Sequence, residues 1–417
     1  MGNMSKKALE TWAIVALACT FFMLFVPNYA QYQLSPIAHW IMPAYELDSA
    51  QFSMLFSAAM IPGILLSLVA GLMCDRFGVK RVVTIAGAIS VAALIARIFA
   101  PNFGALFVCM ALAGVIATFV NANTAKIMGS WFPPEKVGIA VGIGLAGSTL
   151  AMLVGLGTSA LFPSLQAIFV FTAVLAVVAL AAWWLLFKDG PRSAQADPQQ
   201  QADSTSVTQP TLSECLKVVL KSRNVWLVGA ALGLDMAATM CVLTFLPQVL
   251  QATRGFDPAA AGALSSVVTF GNLAGSILAP MIYTHIGRFK PVAIVFSIIA
   301  GACTAFAWQM PVGPLMMVGL FLTGFTLSGM MTMFVSAIVL LPEIGPMYAG
   351  TAGGVCSTMQ LFGAVVIPSY ILTPILGTNY PVFYGIAGIL CLMIAVCTFV
   401  LPEVARRSGD APKQDRP

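Results

Sequence analysis

The stretch Gly71 to Arg81 reads G-L-M-C-D-R-F-G-V-K-R and lies between two long apolar runs. A weaker copy, P-M-I-Y-T-H-I-G-R-F-K, occupies Pro280 to Lys290. Working outward, the two copies hold a nearly constant register. Asp75-Arg76-Phe77-Gly78 stands 209 positions before Thr284-His285-Ile286-Gly287. Gly63 pairs with Gly271, and Gly142 with Gly350, at 208. Trp131-Phe132-Pro133-Pro134-Glu135 finds its counterpart in Leu340-Leu341-Pro342-Glu343. Independent landmarks at nearly one offset describe a chain written twice.

The solvent of that chain is mostly lipid. Hydrophobic residues make up 59% of the 417 and charged ones 8%, against about 45–50% and about 25% in soluble domains. A soluble domain coats its outside with charge, and this chain has too little to do so. Twelve apolar stretches reach the roughly 20 residues that a bilayer core demands. They fall near 12–34, 50–73, 82–100, 104–129, 137–160, 165–187, 225–250, 259–283, 290–309, 313–341, 347–376 and 380–402. Twelve in series exclude a set of buried helices in a soluble protein. The first is longer than the apolar core of about 7–15 residues in a signal peptide, and no small-residue cleavage site closes it. Lys and Arg concentrate in alternate connections, among them Lys6, Arg76, Lys136, Lys221, Arg288 and Arg406, while the opposite set holds little besides Arg254. The positive-inside rule then places both termini and the long central loop in the cytoplasm. Basic residues scattered over short loops form no patch for nucleic acid. The nine cysteines sit mostly inside apolar stretches, without disulfide or metal-site spacing, so no metal and no cofactor is expected.

From Gly190 to Pro210 the chain turns polar, G-P-R-S-A-Q-A-D-P-Q-Q-Q-A-D-S-T-S-V-T-Q-P. Such a composition buries too little to order itself. The expected organisation is an N-terminal six-helix bundle over 1–187, a cytoplasmic linker over 188–222 and a C-terminal six-helix bundle over 223–417 with a short cytoplasmic tail. Leu212 to Leu220 is predicted as a short amphipathic helix at the membrane surface. The fold class expected is an all-α membrane protein, with twelve transmembrane helices in two pseudo-symmetric bundles. A repeat about an axis normal to the membrane places substrate between the halves near the midplane.

The Gly71–Arg81 motif, its weaker second copy and the W-F-P-P-E-K-x-G run that starts the fifth stretch resemble the major facilitator superfamily, from Trp12 to about Pro402. The resemblance implies alternating access by two rocking bundles. It also implies that Asp75 ties its loop to the cytoplasmic end of the eleventh helix and holds the outward-facing state. A carboxylate near a helix N-terminus is favoured by the macrodipole. The second copy has Thr284 in place of the Asp, so the role falls on Asp75 alone. Arg76 and Arg81 belong to the same gating motif; pairing with anionic headgroups or Glu135, and positive-inside topology alone, are both open readings for them.

Of fifteen acidic residues, only Asp235 falls deep inside a stretch, about ten residues or roughly 15 Å into the seventh. A carboxylate there is costly unless protonated, paired or facing water. Asp235 is the candidate coupling group, with hydrogen bonding to a neighbouring helix as the structural reading. Arg97 is the one unambiguous cation within a stretch. Its bidentate fork suits a carboxylate or other oxyanion, yet it lies four residues before Pro101 and could equally snorkel to the interface as an anchor. Lys126 lies nearer the cytoplasmic end of the fourth stretch, where snorkelling is favoured over a transport role. In the first stretch Asn28, Tyr29, Gln31, Tyr32, Gln33 and Ser35 are polar. Asn28, Tyr32 and Ser35 share a helical face by spacing, which must find partners inside the bundle. Substrate-binding candidates are Arg97, Tyr32, Asn28, Tyr29, Asn121 and Gln360, with helix–helix hydrogen bonding as the alternative for the polar ones. Gly138-x-x-x-Gly142 and Gly271-x-x-x-Gly275 are predicted close-packing faces.

There is no phosphate-cradling G-x-x-x-x-G-K-S/T run, which excludes direct ATP drive within this chain, and no nucleophile–base set, which argues against an enzyme. The polar first stretch and the N-x-N-T…W-F-P-P-E-K run look more loosely like the oxalate–formate, monocarboxylate, cyanate and nitrate carriers. The expected function is secondary active transport of a small anionic metabolite across a bacterial inner membrane, by proton symport or anion exchange, in a monomer. A proton-coupled exporter of amphipathic or cationic drugs is the alternative, and a non-transporting membrane sensor the alternative of another class.

Overall fold

The computed structural model describes residues 6–188, 190, 212–341 and 344–402. Among these, twelve helical segments are long and apolar enough to cross a bilayer. They form two compact units, Met1–Gln209 with Pro247–Ser266, and Pro210–Leu246 with Val267–Pro417. The amphipathic helix predicted after the central linker forms over Leu212–Lys221; residues 191–211 of the linker lie outside the described residues.

The first unit holds the spans Glu10–Tyr32, Ser49–Ser67, Val79–Phe99, Phe103–Trp131, Ile139–Leu161 and Leu165–Leu186. Its core runs from Ala13 and Met23 through Val83 and Phe119 to Trp183. The second span is two helices, Ser49–Ala58 and Ile61–Phe77, because Pro62 cannot continue the ladder. The fourth span likewise divides at Gly114, between Phe103–Ala113 and Val115–Trp131. The two breaks face each other, and a Cβ at Gly114 would overlap the carbonyl of Ala59.

The second unit is built around Arg223–Arg254 up to Leu246, then Pro258–Tyr283 from Val267, Phe289–Gln309, Pro314–Ile338, Thr351–Leu376 and Tyr380–Val400. Its core joins Val228, Phe289, Met330, Phe334 and Ile394. In the eleventh span a π-helical turn at Ile367–Leu372 follows Gly345–Val366, and Thr373 Oγ1 donates to the carbonyl of Pro368 at 2.6 Å.

Glycine carries the helix crossings, and the written repeat reappears here. A Cβ at Gly324 would overlap the carbonyl of Val268, as Gly114 would that of Ala59. Gly147 abuts the Phe21 carbonyl of the first span, and Gly363 abuts Gly233 of the seventh. The Gly271 and Gly275 face is confirmed, closing on Phe321 and Phe325. The other expected face is not: nothing comes within 4 Å of a Cβ at Gly142, and the side of Gly138 is not described. The fifth span makes its close approach one and a half turns later, at Gly147.

Candidate functional site

In the first unit the polar end of the first span is a hub. The helix stops at Tyr32, so the helical spacing that put Asn28, Tyr32 and Ser35 on one face does not extend to Ser35. The side chains instead radiate to different neighbours. Asn28 Nδ2 donates to Ser148 Oγ in the fifth span at 3.1 Å and to the Leu24 carbonyl at 2.8 Å. Tyr29 stacks on Phe25 and meets Phe171 of the sixth span edge-on. The Tyr32 ring packs edge-on against Phe56, whose carbonyl accepts from Gln31 Nε2 at 3.0 Å.

Arg97 is enclosed by this hub. Its exposure is 0%, so it neither opens to a cavity in this conformation nor snorkels to an interface. Nη1 donates to the Ala30 carbonyl and touches Met110 Sδ, each at 3.4 Å. The guanidinium lies over the Phe169 ring, 4.1 Å from its centroid, an attractive placement for a cation. With the Gln33 amide oriented to satisfy both of its ends, its oxygen accepts from Nη1 and Nη2 at 3.0 Å and its nitrogen donates to Thr172 Oγ1 at 2.8 Å. Nε has no partner. None of these contacts is a carboxylate. Sequence reasoning noted Gln33 as polar but missed its pairing, because Phe169 and Thr172 sit in a span that reads as plain apolar wall. Asn121 is exposed, and the neighbouring Asn123 is buried, donating to the Phe119 carbonyl at 2.9 Å. Lys126 Nζ donates to the Cys74 carbonyl at 3.4 Å.

In the second unit Asp235 is 1% exposed and its Oδ1 has no hydrogen-bond partner. Beside it in the chain, Met236 Sδ lies 4.0 Å from Gln360 Nε2 on the eleventh span. On the eighth span, Thr269 Oγ1 and Asn272 Oδ1 are buried without partners. Arg76 is exposed with its guanidinium 5.3 Å from the Phe77 ring centroid, and Arg81 is exposed; the Asp75 side chain lies outside what is described. Outside the spans, His39 is held by the Pro36 carbonyl at 3.2 Å; its surface is exposed, and the part of the ring that is covered pushes its imidazole down from the ordinary value.

Twelve spans, two similar helical halves and polar groups gathered inside each half define the class of multi-pass secondary transporters. The sequence model of the Major Facilitator Superfamily matches residues 12–368; the chain belongs to that family. It is 25% identical over 383 residues to a probable sulfoacetate transporter, SauU, of Cupriavidus necator, covering 85% of each chain. Over 416 residues it is 23% identical to the hexuronate transporter of Bacillus subtilis, covering 93% of this chain and 95% of that one. The fold is that of a point mutant of the nucleoside transporter NupG, with a TM-score of 0.74 at 13% identity, covering 93% of this chain and 99% of the other.

Proposed function

We propose that this transporter carries a small anionic, organic acid-like metabolite across a bacterial inner membrane by alternating access, as proton symport or anion exchange, acting as a monomer with both termini cytoplasmic. The observation that carries this reading is Arg97, wholly enclosed and with no carboxylate among its contacts. An unneutralised cation in a low-dielectric interior projects a field that water would quench. That field favours a negatively charged passenger, as would suit relatives named for sulfoacetate and hexuronate. Arg97 acts through this potential and by holding the first span. In the first unit direct contacts fall to Asn28, half-buried, and Asn121, exposed, with Tyr29 and Tyr32 beside Asn28 in the chain; Gln360 is the candidate contact of the second unit. Asp235 is the coupling group, since a buried carboxyl with no cation in contact is less costly with its proton than without. Asp75, Arg76 and Arg81 serve as the gate.

The test is thermal stability of the purified protein with sulfoacetate, a hexuronate and glycerol phosphate, against neutral sugars and lipophilic cations. A ligand of the folded state at a hundredfold over its Kd adds about 2.7 kcal/mol. Shifts with anions alone, abolished in Arg97→Gln, are the expected result. Shifts with lipophilic cations alone overturn the reading in favour of drug export.

A further inference from the structure

Among the described residues five side chains of the second unit bury polar atoms without partners: Thr269 and Asn272 on the eighth span, and Asp235, Trp308 and Tyr384 away from it. The last three are 1%, 5% and 1% exposed. Leaving such atoms unsatisfied costs roughly 1–3 kcal/mol each, so these three need a reason. Trp308 and Tyr384 pack ring to ring with centroids 5.5 Å apart. Both line one small cavity, together with Val242, Thr304 and Thr323. The space for the centre of a water molecule there is about 10 Å³, which is what one water requires, and a buried water also needs two to four polar partners. The lining, otherwise apolar, includes four polar side chains, Trp308, Tyr384, Thr304 and Thr323, the last of which already donates to the Gly319 carbonyl at 2.9 Å and is left to accept.

The same helix faces lead on to Asp235. Asp235 and Val242 are seven residues apart on the seventh span, and so are Tyr384 and Cys391 on the twelfth. Seven residues are two turns, the same face about 10 Å along. Thr304 Oγ1 stands 4.0 Å from Cys391 Sγ, on the turn of the twelfth span that this spacing sets level with Asp235. The titratable groups along this column are Asp235 and Cys241 on the seventh span, Cys303 on the ninth and Cys391 and Tyr384 on the twelfth. Among the described residues, lysine, arginine and histidine have no place in it.

We infer that this cavity is a water site, and that the column Trp308–Tyr384–water–Thr304–Cys391 is the path by which a proton reaches Asp235 from the side of Gln309 and Tyr380. The water takes a proton from that side and passes one of its own to Thr304, the Thr304 hydroxyl hands its proton to the Cys391 thiol, and the thiol proton passes to the Asp235 carboxylate. Water, Thr304 and Cys391 each gain and lose one proton and end as they began, so charge and atoms balance. Tyr384 is a positioning residue for the water. The inference rests on Asp235 as the coupling group, and it adds a route inside one bundle.

The experiment needs no transport substrate. Purified full-length protein in detergent is transferred into D₂O, and infrared spectra follow the protonated-carboxyl band that Asp235→Asn removes. In Tyr384→Phe and Thr304→Val, its shift to the deuterated position slows by about tenfold relative to wild type, ~1.36 kcal/mol on the barrier. A rate unchanged in both variants overturns the route. If Asp235→Asn removes no band, Asp235 carries no proton, and the coupling reading fails instead. Tyr380→Phe, one turn away and outside the cavity lining, controls for general loosening; equal acceleration in all variants would also refute the path.

Discussion

Substituting alanine for Gly147 and, in a separate protein, for Gly142 makes a paired test within one helix. Both sit in Pro134–Thr158. At Gly142 a methyl meets nothing within 4 Å, whereas at Gly147 it overlaps the Phe21 carbonyl oxygen and lies 3.1 Å from the carbonyl carbon. To restore ordinary contact the first and fifth spans must part by on the order of 1 Å, a gap that forfeits a quarter to a half of each dispersion contact along the crossing. Overpacking of this kind costs about 1–3 kcal/mol. Alanine also returns up to ~1 kcal/mol of helix propensity, at either position. The expected net is therefore about 0–2 kcal/mol destabilising for Gly147→Ala and about 0.5–1 stabilising for Gly142→Ala. At ~2–4 °C per kcal/mol for a bundle of about 200 residues, the two apparent Tm values differ by roughly 5 °C. The assay is heating in detergent with a thiol-reactive dye, which reports buried thiols as they open, Cys19 and Cys74 in the first unit among them. Equal rises in Tm for the two variants would refute the argument that backbone contact at Gly147 holds the crossing.

Gln33→Leu removes an acceptor shared by both Arg97 Nη groups and leaves Nη1 the Ala30 carbonyl as its only oxygen acceptor, which costs about 1.5–3 kcal/mol. Arg97→Met, of similar length and uncharged, is expected to melt above Gln33→Leu, and the reverse order would argue that Gln33 does not hold the guanidinium. Asp235→Asn in proteoliposomes loses uptake driven by a pH gradient but keeps exchange; unchanged pH dependence removes it from coupling. His39, whose imidazole is pushed down by the covered part of its ring, contributes stability that is present above the ordinary histidine value and lost as pH falls below it. His39→Gln should flatten the melting temperature against pH between about 7 and 5, and a persisting slope assigns that dependence elsewhere.

The twelve spans were legible because lipid leaves a chain few options: each crossing must be long, apolar and internally hydrogen-bonded. Azimuth was less legible. Distance from Pro101 gives the depth of Arg97 but not the direction it faces, and both expected directions, cavity and interface, differ from the enclosure found. What encloses it depends on where the first helix ends. Stopping at Tyr32 swings Gln33 toward the third and sixth spans, and no periodicity announces that stop. The crossing glycines show the same limit, since Gly138-x-x-x-Gly142 and Gly147-x-x-x-Ala151 both fit the small-residue pattern, yet of Gly142 and Gly147 only the second comes close to another helix.

Those crossings also decide what kind of mechanism the fold permits. Where two backbones touch at glycine, the helices lie as near as they can, and any shift that brings a larger side chain to the crossing must open it. The first span is bound in this way to the fifth, the second to the fourth, the seventh to the eleventh and the eighth to the tenth. Counted mechanically, the protein has fewer parts than helices. Labels placed on both members of such a pair are expected to keep their separation while the pair moves, and labels that part would show the glycine contact opening.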